Sequence, residues 1–268
     1  MFDLTAGLIA LAVMVALAIA TWLVSLKKAD VSIVDGLWPV FIWAGGFVYA
    51  WTAPLTLRGW IAMSLLTFWA ARLCIHITAR NHGEPEDRRY QKIRANNQPH
   101  FEYKSLYLVF LLQAVLAWIV ALPLMAAARG AAGIDFLDVF AMSLAMFGIL
   151  FEAVADWQLV RFKARPDAHG SVLDTGLCRY SRHPNYFGEC CAWWGFGFLG
   201  VAAGAWWSLA SPLLMTWLLL KVSGVTLLES DIGERRPAYA RYVRETRAFF
   251  PGRPGKREAD PANGAATR

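Results

Sequence analysis

Long apolar runs separated by short polar stretches constrain the fold of this chain of 268 residues more than any other feature. A membrane hydrocarbon core of about 30 Å is crossed by an α-helix of roughly twenty apolar residues. Runs of about that length predict spans at residues 5–26, 33–53, 57–79, 105–128, 134–160, 186–203 and 205–226. We therefore expect an all-α integral membrane protein with a bundle of about seven transmembrane helices, or six if the last two runs form a re-entrant pair. A composition of 57% hydrophobic and 17% charged residues agrees, and it excludes an ordinary soluble enzyme or a disordered regulator.

The distribution of basic residues orients the predicted bundle. Only Arg58 and Arg129 fall in the loops on one side, whereas the segments after the first, third, fifth and seventh spans hold most of the 26 Lys and Arg. By the positive-inside rule the basic side is cytoplasmic, which places the N-terminus outside and the C-terminus in the cytoplasm. The formal net charge of +6 is then explained by the membrane topology and by attraction to anionic lipids, because the basic residues flank the predicted spans. It does not predict nucleic-acid binding.

The sequence predicts a single transmembrane domain over residues 1–250, with its motifs concentrated in 150–250. Residues 251–268 are rich in Pro, Gly, Ala and charge without apolar periodicity, which predicts a disordered cytoplasmic tail. The four Cys lack metal-ligand spacing, so no metal site is expected. The retained apolar spans and a composition rich in Ala and Arg favour a bacterial inner membrane as the location.

Ionisable residues within the predicted spans collect near the cytoplasmic end of the bundle. They are Asp35, Arg72, His76, Glu152, Asp156, Glu189 and Lys221. Because an ionisable group is costly inside a membrane, such residues mark a functional site by default. A cavity that is polar at one end and apolar deeper suits a lipid-like substrate that meets a soluble cofactor. The alternative is that the basic members snorkel to the lipid headgroups and the acids pair with them.

Two polar loops lie at the same end and carry groups suited to phosphate and sugar. Arginine grips phosphate in a bidentate manner, and a helix that starts at Pro184 would place Asn185 and Glu189 one turn apart. The candidate residues of these loops are Arg80, Arg88, Arg89, Tyr90, Arg179, Tyr180, Arg182, His183 and Tyr186. The run Gly195-Phe-Gly-Phe-Leu-Gly200 matches a nucleotide fingerprint, but it lies in an apolar helix without a preceding strand. Close helix packing explains it better.

These motifs resemble the steroid 5α-reductase family. Its C-terminal half is similar to Thr175-Gly-Leu177 followed by Ser181-Arg-His-Pro-Asn-Tyr-Phe-Gly-Glu189, Trp193, Tyr239, Tyr242 and Phe249-Phe-Pro251. Asp35 within Val-Asp-Gly-Leu-Trp-Pro and the loop from Gly83 to Tyr90 look like the bacterial branch of that family, whose members are largely uncharacterised membrane proteins. The resemblance covers most of residues 30–251.

The resemblance implies a seven-helix bundle that binds NADPH from the cytoplasmic side and delivers hydride to the β-carbon of an enone in a steroid-like or other lipid substrate. Asn185 and Glu189 would hold the nicotinamide end, and Glu152 and Asp156 the adenosine or ribose. The phosphates would be held by Arg80, Arg88, Arg89, Arg179 and Arg182. The remaining cofactor candidates are Tyr90, Tyr180, His183, Tyr186, Tyr239 and Tyr242.

Catalysis in this hypothesis requires a group that polarises the substrate carbonyl. Asp35 lies roughly where the family carries a Glu in that role, and a protonated Asp35 would donate a hydrogen bond while hydride attack builds an enolate. His76 is the alternative acid, with Arg72 beside it. The family's catalytic Tyr on the third span has no clear counterpart in this chain.

Two other functions fit the same sequence. An isoprenylcysteine-type methyltransferase, which uses S-adenosylmethionine, also carries an Arg-His-Pro-x-Tyr-x-Gly turn before a helical hairpin. A non-enzymatic membrane protein would use its polar loops only to fix topology. The run from Asn185 to Glu189 and the acidic and basic loop at 83–90 favour the reductase.

Overall fold

The computed structural model describes residues 2–130, 133–168, 170–222 and 237–255, and its regular elements within these ranges are all helices. The main helices are α1 (Leu4–Lys28), α2 (Ile33–Trp51), α3 (Leu57–Asn81), α4 (Arg88–Asn96), α5 (Phe101–Arg129), α6 (Phe136–Lys163), α7 (Pro184–Ala202), α8 (Ala210–Trp217) and α9 (Pro237–Glu245). Helix α5 is π-helical over Leu106–Leu111, and α8 continues as a π-helical segment over Leu218–Val222. The predicted all-α class is confirmed for the described residues.

Five helices are long and apolar enough to cross a membrane, namely α1, α2, α3, α5 and α6. They coincide with the first five predicted spans. Helix α7 is 19 residues long, but its glycines, its tryptophans and the polar Asn185 and Glu189 lower its mean hydropathy. The last residues of the seventh predicted span, 223–226, lie outside the described ranges, as do residues 256–268 of the predicted tail. The helices are therefore compatible with an integral membrane protein, while seven spans and the orientation of the termini stay predictions.

The chain divides into two compact units. Unit 1 comprises Met1–Ile149 and Cys191–Thr216, and unit 2 comprises Leu150–Cys190 and Trp217–Arg268. The divisions follow Ile149 in α6, Cys190 in α7 and Thr216 in α8.

Small residues allow the helices of unit 1 to pack closely around α2. A side chain on Gly45 would meet the methyl of Met14 on α1 at 2.1 Å, and one on Gly46 would meet Leu66 on α3 at 2.6 Å. Gly195 faces the backbone of α6, where the Ala145 nitrogen lies 2.5 Å from the position of an added Cβ. This close approach agrees with the prediction that Gly195 serves helix packing.

A buried ion pair fixes the start of α6 in unit 1. Arg58 donates from Nε to Oδ1 of Asp138 at 2.5 Å and from Nη2 to Oδ2 at 2.7 Å, and both residues are buried. The Asp138 carboxylate also accepts from the Asp135 amide at 3.1 Å, while Asp135 accepts from the Asp138 amide at 2.9 Å. Arg129, the other basic residue predicted for this side, pairs with Asp3 at 3.0 Å. Both arginines of the sparsely basic side are therefore neutralised locally.

Candidate functional site

Asp35 is the centre of a polar cluster in unit 1. It lies in the first turn of α2, where Gly36 allows close contact with Thr78 of α3. Its Oδ2 accepts a hydrogen bond from Nη2 of Arg89 at 2.6 Å, and its Oδ1 accepts from the hydroxyl of Tyr90 at 2.5 Å. Both oxygens are thus acceptors, which is the contact pattern of a carboxylate. The sequence-based hypothesis instead has Asp35 as a donor.

The phenol of Tyr90 both donates and accepts a hydrogen bond in this cluster. Its oxygen donates to Asp35 and accepts from Nε2 of Gln113 on α5 at 3.1 Å. Burial raises the pKa of Tyr90 well above its usual value of 10.0, and the negative charge of Asp35 raises the pKa further. The hydroxyl therefore keeps its proton across the physiological range. We call Asp35, Arg89, Tyr90 and Gln113 the phenol cluster.

Arg89 donates hydrogen bonds to two carboxylates at the phenol cluster. Its Nε donates to Oδ1 of Asp87 at 3.0 Å, in addition to the bond with Asp35. Burial would lower the pKa of Arg89, but the charges of Asp35 and Asp87 outweigh burial and raise it. The guanidinium is therefore committed to two carboxylates, which competes with the phosphate-binding role predicted for it.

A second ion pair anchors helix α4, which carries Tyr90. Arg94 donates from Nη2 to Oε1 of Glu86 at 2.8 Å, and the same carboxylate oxygen accepts from the Val31 amide at 2.9 Å. Burial would raise the pKa of Glu86, but these hydrogen bonds hold it below its usual value. The hydrogen bond between Val31 and Glu86 thus links the segment before α2 to the segment before α4. This link helps to position Tyr90 beside Asp35.

The other predicted site residues of unit 1 lie on α3 and the following loop. Arg72 and His76 are half-buried and one turn apart on α3. Arg80 and Arg88 are exposed, and Arg80 donates from Nε to Oδ1 of Asn81 at 3.1 Å. Exposed guanidinium groups of this kind remain accessible to an anionic ligand.

Three acids predicted to bind cofactor are buried in unit 2. Glu152 and Asp156 lie one turn apart on α6, and Glu189 lies on α7 with 8% of its surface exposed. Nδ2 of Asn185 donates to Oδ1 of Asp156 at 3.3 Å, which joins the two helices within this unit. The structure therefore joins the pair Glu152 and Asp156 to the pair Asn185 and Glu189, both of which the sequence analysis predicted to bind the cofactor. We call these four residues the acid cluster.

The loop before α7 is held by backbone contacts with the segment that includes α9. Arg182 donates from Nη1 to the carbonyl of Val243 at 3.2 Å and also to that of Thr246. The Ser181 hydroxyl donates to the carbonyl of Phe249 at 2.8 Å, and the Tyr242 hydroxyl donates to that of Cys178. These carbonyl contacts hold α9 against the loop.

Aromatic side chains surround the same loop. His183 and Tyr186 stack with ring centroids 5.6 Å apart, and Tyr239 and Tyr242 make an edge contact at 5.6 Å. Tyr180 and Arg179 are exposed. Tyr242 and Arg182 thus have structural contacts that the sequence analysis did not foresee, because their carbonyl partners lie more than sixty positions away.

The chain also resembles proteins known from sequence. The profile of the DUF1295 family, described as a protein of unknown function, matches residues 21–246. Uncharacterized protein C594.04c of Schizosaccharomyces pombe is 28% identical over 264 residues, an alignment that covers 86% of this chain and 75% of the yeast protein. No solved structure matches the chain. The region matched by the family profile contains both the phenol cluster and the acid cluster.

Proposed function

We propose a reductase function for this chain, which belongs to the DUF1295 family of proteins of unknown function. That family is similar to the steroid 5α-reductases, and this similarity supports the proposal. The proposed reaction is NADPH-dependent reduction of the C=C bond of an enone in a steroid-like or other lipid substrate within the membrane. The observation that carries the proposal is the phenol cluster with the buried Tyr90 at its centre, and assignment to the bacterial branch is part of the same proposal.

The phenol cluster supplies what enone reduction requires from a protein. Addition of hydride to the β-carbon places negative charge on the carbonyl oxygen, and a preorganised donor stabilises that charge. We assign this donor role to Tyr90, which would exchange its bond to Asp35 for one to the substrate oxygen. Asp35 positions the phenol before this exchange, and Gln113 continues to donate to the phenol oxygen after it. A proton from water, added to the α-carbon, completes the reduction.

The acid cluster fits the sugar and amide parts of NADPH, which supplies the hydride when bound. Ribose hydroxyls and the nicotinamide carboxamide donate hydrogen bonds, and the buried side chains of Glu152, Asp156 and Glu189 would accept them. The side-chain amide of Asn185 both donates and accepts. Within unit 2 the exposed Arg179 is the better phosphate candidate, since Arg182 donates to backbone carbonyls.

S-adenosylmethionine is the second candidate cofactor, and one observation favours it. This cofactor carries a positively charged sulfonium and an ammonium group, and it lacks phosphate. Three buried acids within unit 2 would suit such a ligand by charge. A methyltransferase function is therefore the alternative proposal, and a non-enzymatic role is the third.

Calorimetric titration of the detergent-purified protein with NADPH, NADH and S-adenosylmethionine tests these proposals. We expect saturable binding of NADPH that Glu189→Gln weakens, since the substitution removes a buried negative acceptor. Glu84→Gln is the matched control, because Glu84 is an exposed acid on the loop before α4. Binding of S-adenosylmethionine alone would favour the methyltransferase, and binding of none of the three would favour the non-enzymatic role.

A further inference from the structure

A groove in unit 2 lies outside the acid cluster. It has a volume of about 450 Å³ and is lined by the last turns of α6 and by the segment at 173–176. Gln158 shapes its wall, because Oε1 of this residue accepts from the Leu177 amide at 2.9 Å. Gly176 adopts a positive φ of 59° there, and a side chain on it would meet Gln158 at 2.4 Å. The groove is therefore a built feature of the fold.

The groove offers positive charge without a lining acid. Arg161 and Arg165 line it together with Trp157 and Phe162, and no Asp or Glu is among its lining residues in the described part of the chain. Arg165 pairs with the exposed Asp167 at 2.8 Å, which reduces its net charge. Arg161 has no carboxylate or carbonyl partner among the described residues, and its guanidinium lies over the Trp157 ring at 5.0 Å. The aromatic ring thus orients an available guanidinium.

An exposed apolar stripe on α6 leads to Arg161. Leu150, Val154 and Trp157 precede it at intervals of four, three and four residues, which place all four side chains on one helix face. The three apolar members are 49%, 44% and 56% exposed. Glu152 and Asp156 belong to the opposite face of the same helix. The stripe therefore ends at the cationic Arg161, close to the C-terminal end of α6. By length and composition α6 could cross a membrane.

We infer that this groove binds the phosphate of an anionic membrane lipid, whose acyl chain lies along Leu150, Val154 and Trp157. Arginine is the side chain best suited to hold a phosphate, since its planar fork donates to two oxygens at once. Basic pockets beside membrane helices bind anionic headgroups in this way. Trp157 serves both parts of the ligand, because its ring orients Arg161 and it is itself a member of the exposed apolar stripe.

Native mass spectrometry of the full-length protein in detergent tests this inference, with phosphatidylglycerol and phosphatidylcholine of the same acyl chains as probes. Phosphatidylcholine carries the same phosphate beside a compensating ammonium, so we expect preferential binding of phosphatidylglycerol. Arg161→Gln should weaken this binding about fivefold, the factor that corresponds to ~1 kcal/mol for one basic residue near an anionic headgroup. Arg244→Gln is the matched control, because Arg244 is exposed on α9 and lies outside the groove.

Each outcome decides the proposal. Equal binding of the two lipids, or unchanged phosphatidylglycerol binding by Arg161→Gln, would overturn it. Competition by millimolar inorganic phosphate with the same sensitivity to Arg161→Gln would show a site for soluble phosphate instead of a lipid. Arg161→Lys keeps the charge without the planar fork and should give an intermediate loss, which separates recognition from misfolding. None of these measurements requires NADPH, so their result is independent of the proposed reductase activity.

Discussion

At the scale of single residues, the phenol of Tyr90 is the group on which the proposed chemistry depends. Tyr90→Phe removes the hydroxyl and leaves the ring, so we expect enone reduction to fall by a factor of about 10² or more, the usual contribution of a positioned acid. NADPH affinity measured by calorimetry should change little. Tyr103→Phe is the matched control, because Tyr103 is 63% exposed. Equal activities of the two variants would remove Tyr90 from the mechanism.

The pH dependence of the reaction follows from the same residue. Because burial and Asp35 raise the pKa of Tyr90 well above 10.0, the phenol stays protonated as the pH rises to that value. We therefore expect the rate of reduction at saturating NADPH to show no loss centred at or below pH 10. Single-turnover rates measured from pH 7 to 10 check this expectation. A decline with a midpoint near 9 that Tyr90→Phe abolishes would contradict the raised pKa.

At the scale of elements, the start of α6 depends on one buried ion pair. Arg58→Met would leave Asp138 charged and without its main partner, and breaking a buried pair in this way costs about 3–5 kcal/mol. The thermal unfolding midpoint of Arg58→Met in detergent should therefore be lower than that of the unsubstituted protein. Arg129→Met breaks a pair whose partner Asp3 is 38% exposed on its side chain, so its effect should be smaller. Similar midpoints for the two variants would mean that burial of the Arg58 pair adds no stability.

Helix α9 depends on hydrogen bonds to the loop before α7. Tyr242→Phe removes the donor to the Cys178 carbonyl, and loss of one such bond costs about 1 kcal/mol. We expect faster amide hydrogen exchange over residues 237–245, measured by mass spectrometry. Tyr180→Phe is the control, since the Tyr180 side chain is 47% exposed. Unchanged exchange in Tyr242→Phe would show that other contacts hold the helix.

At the scale of the whole molecule, the orientation of the chain is the main untested prediction. The clustering of basic residues predicts an outside N-terminus and a cytoplasmic C-terminus across seven spans. A reporter that is active only in the cytoplasm should therefore be active when fused after residue 268 and inactive when fused after residue 131. Activity at both positions would contradict seven crossings and favour a re-entrant pair.

The length of the apolar runs predicted much of the architecture because it is a local property of the chain. Helices α1, α2, α3, α5 and α6 match the first five predicted spans, and Gly195 packs against helix backbone as expected. Prediction was weaker where composition is mixed, since the polar Asn185 and Glu189 within α7 reduce its hydropathy. Of the site, the sequence identified Asp35 and Tyr90 separately, but it placed them in different roles. Their contact joins positions 55 residues apart, which no local pattern encodes.

The sequence alone determined the class of this protein, an all-helical chain of the DUF1295 family with five helices long and apolar enough to cross a membrane, because apolar run length and family motifs are read directly along the chain. Only the tertiary structure decided which polar groups meet. It committed Arg89 to two carboxylates and Arg182 to backbone carbonyls, and it placed the Tyr90 phenol between Asp35 and Gln113. The physical reason is that a hydrogen bond depends on distance in space, and helix packing brings together side chains that are remote in sequence.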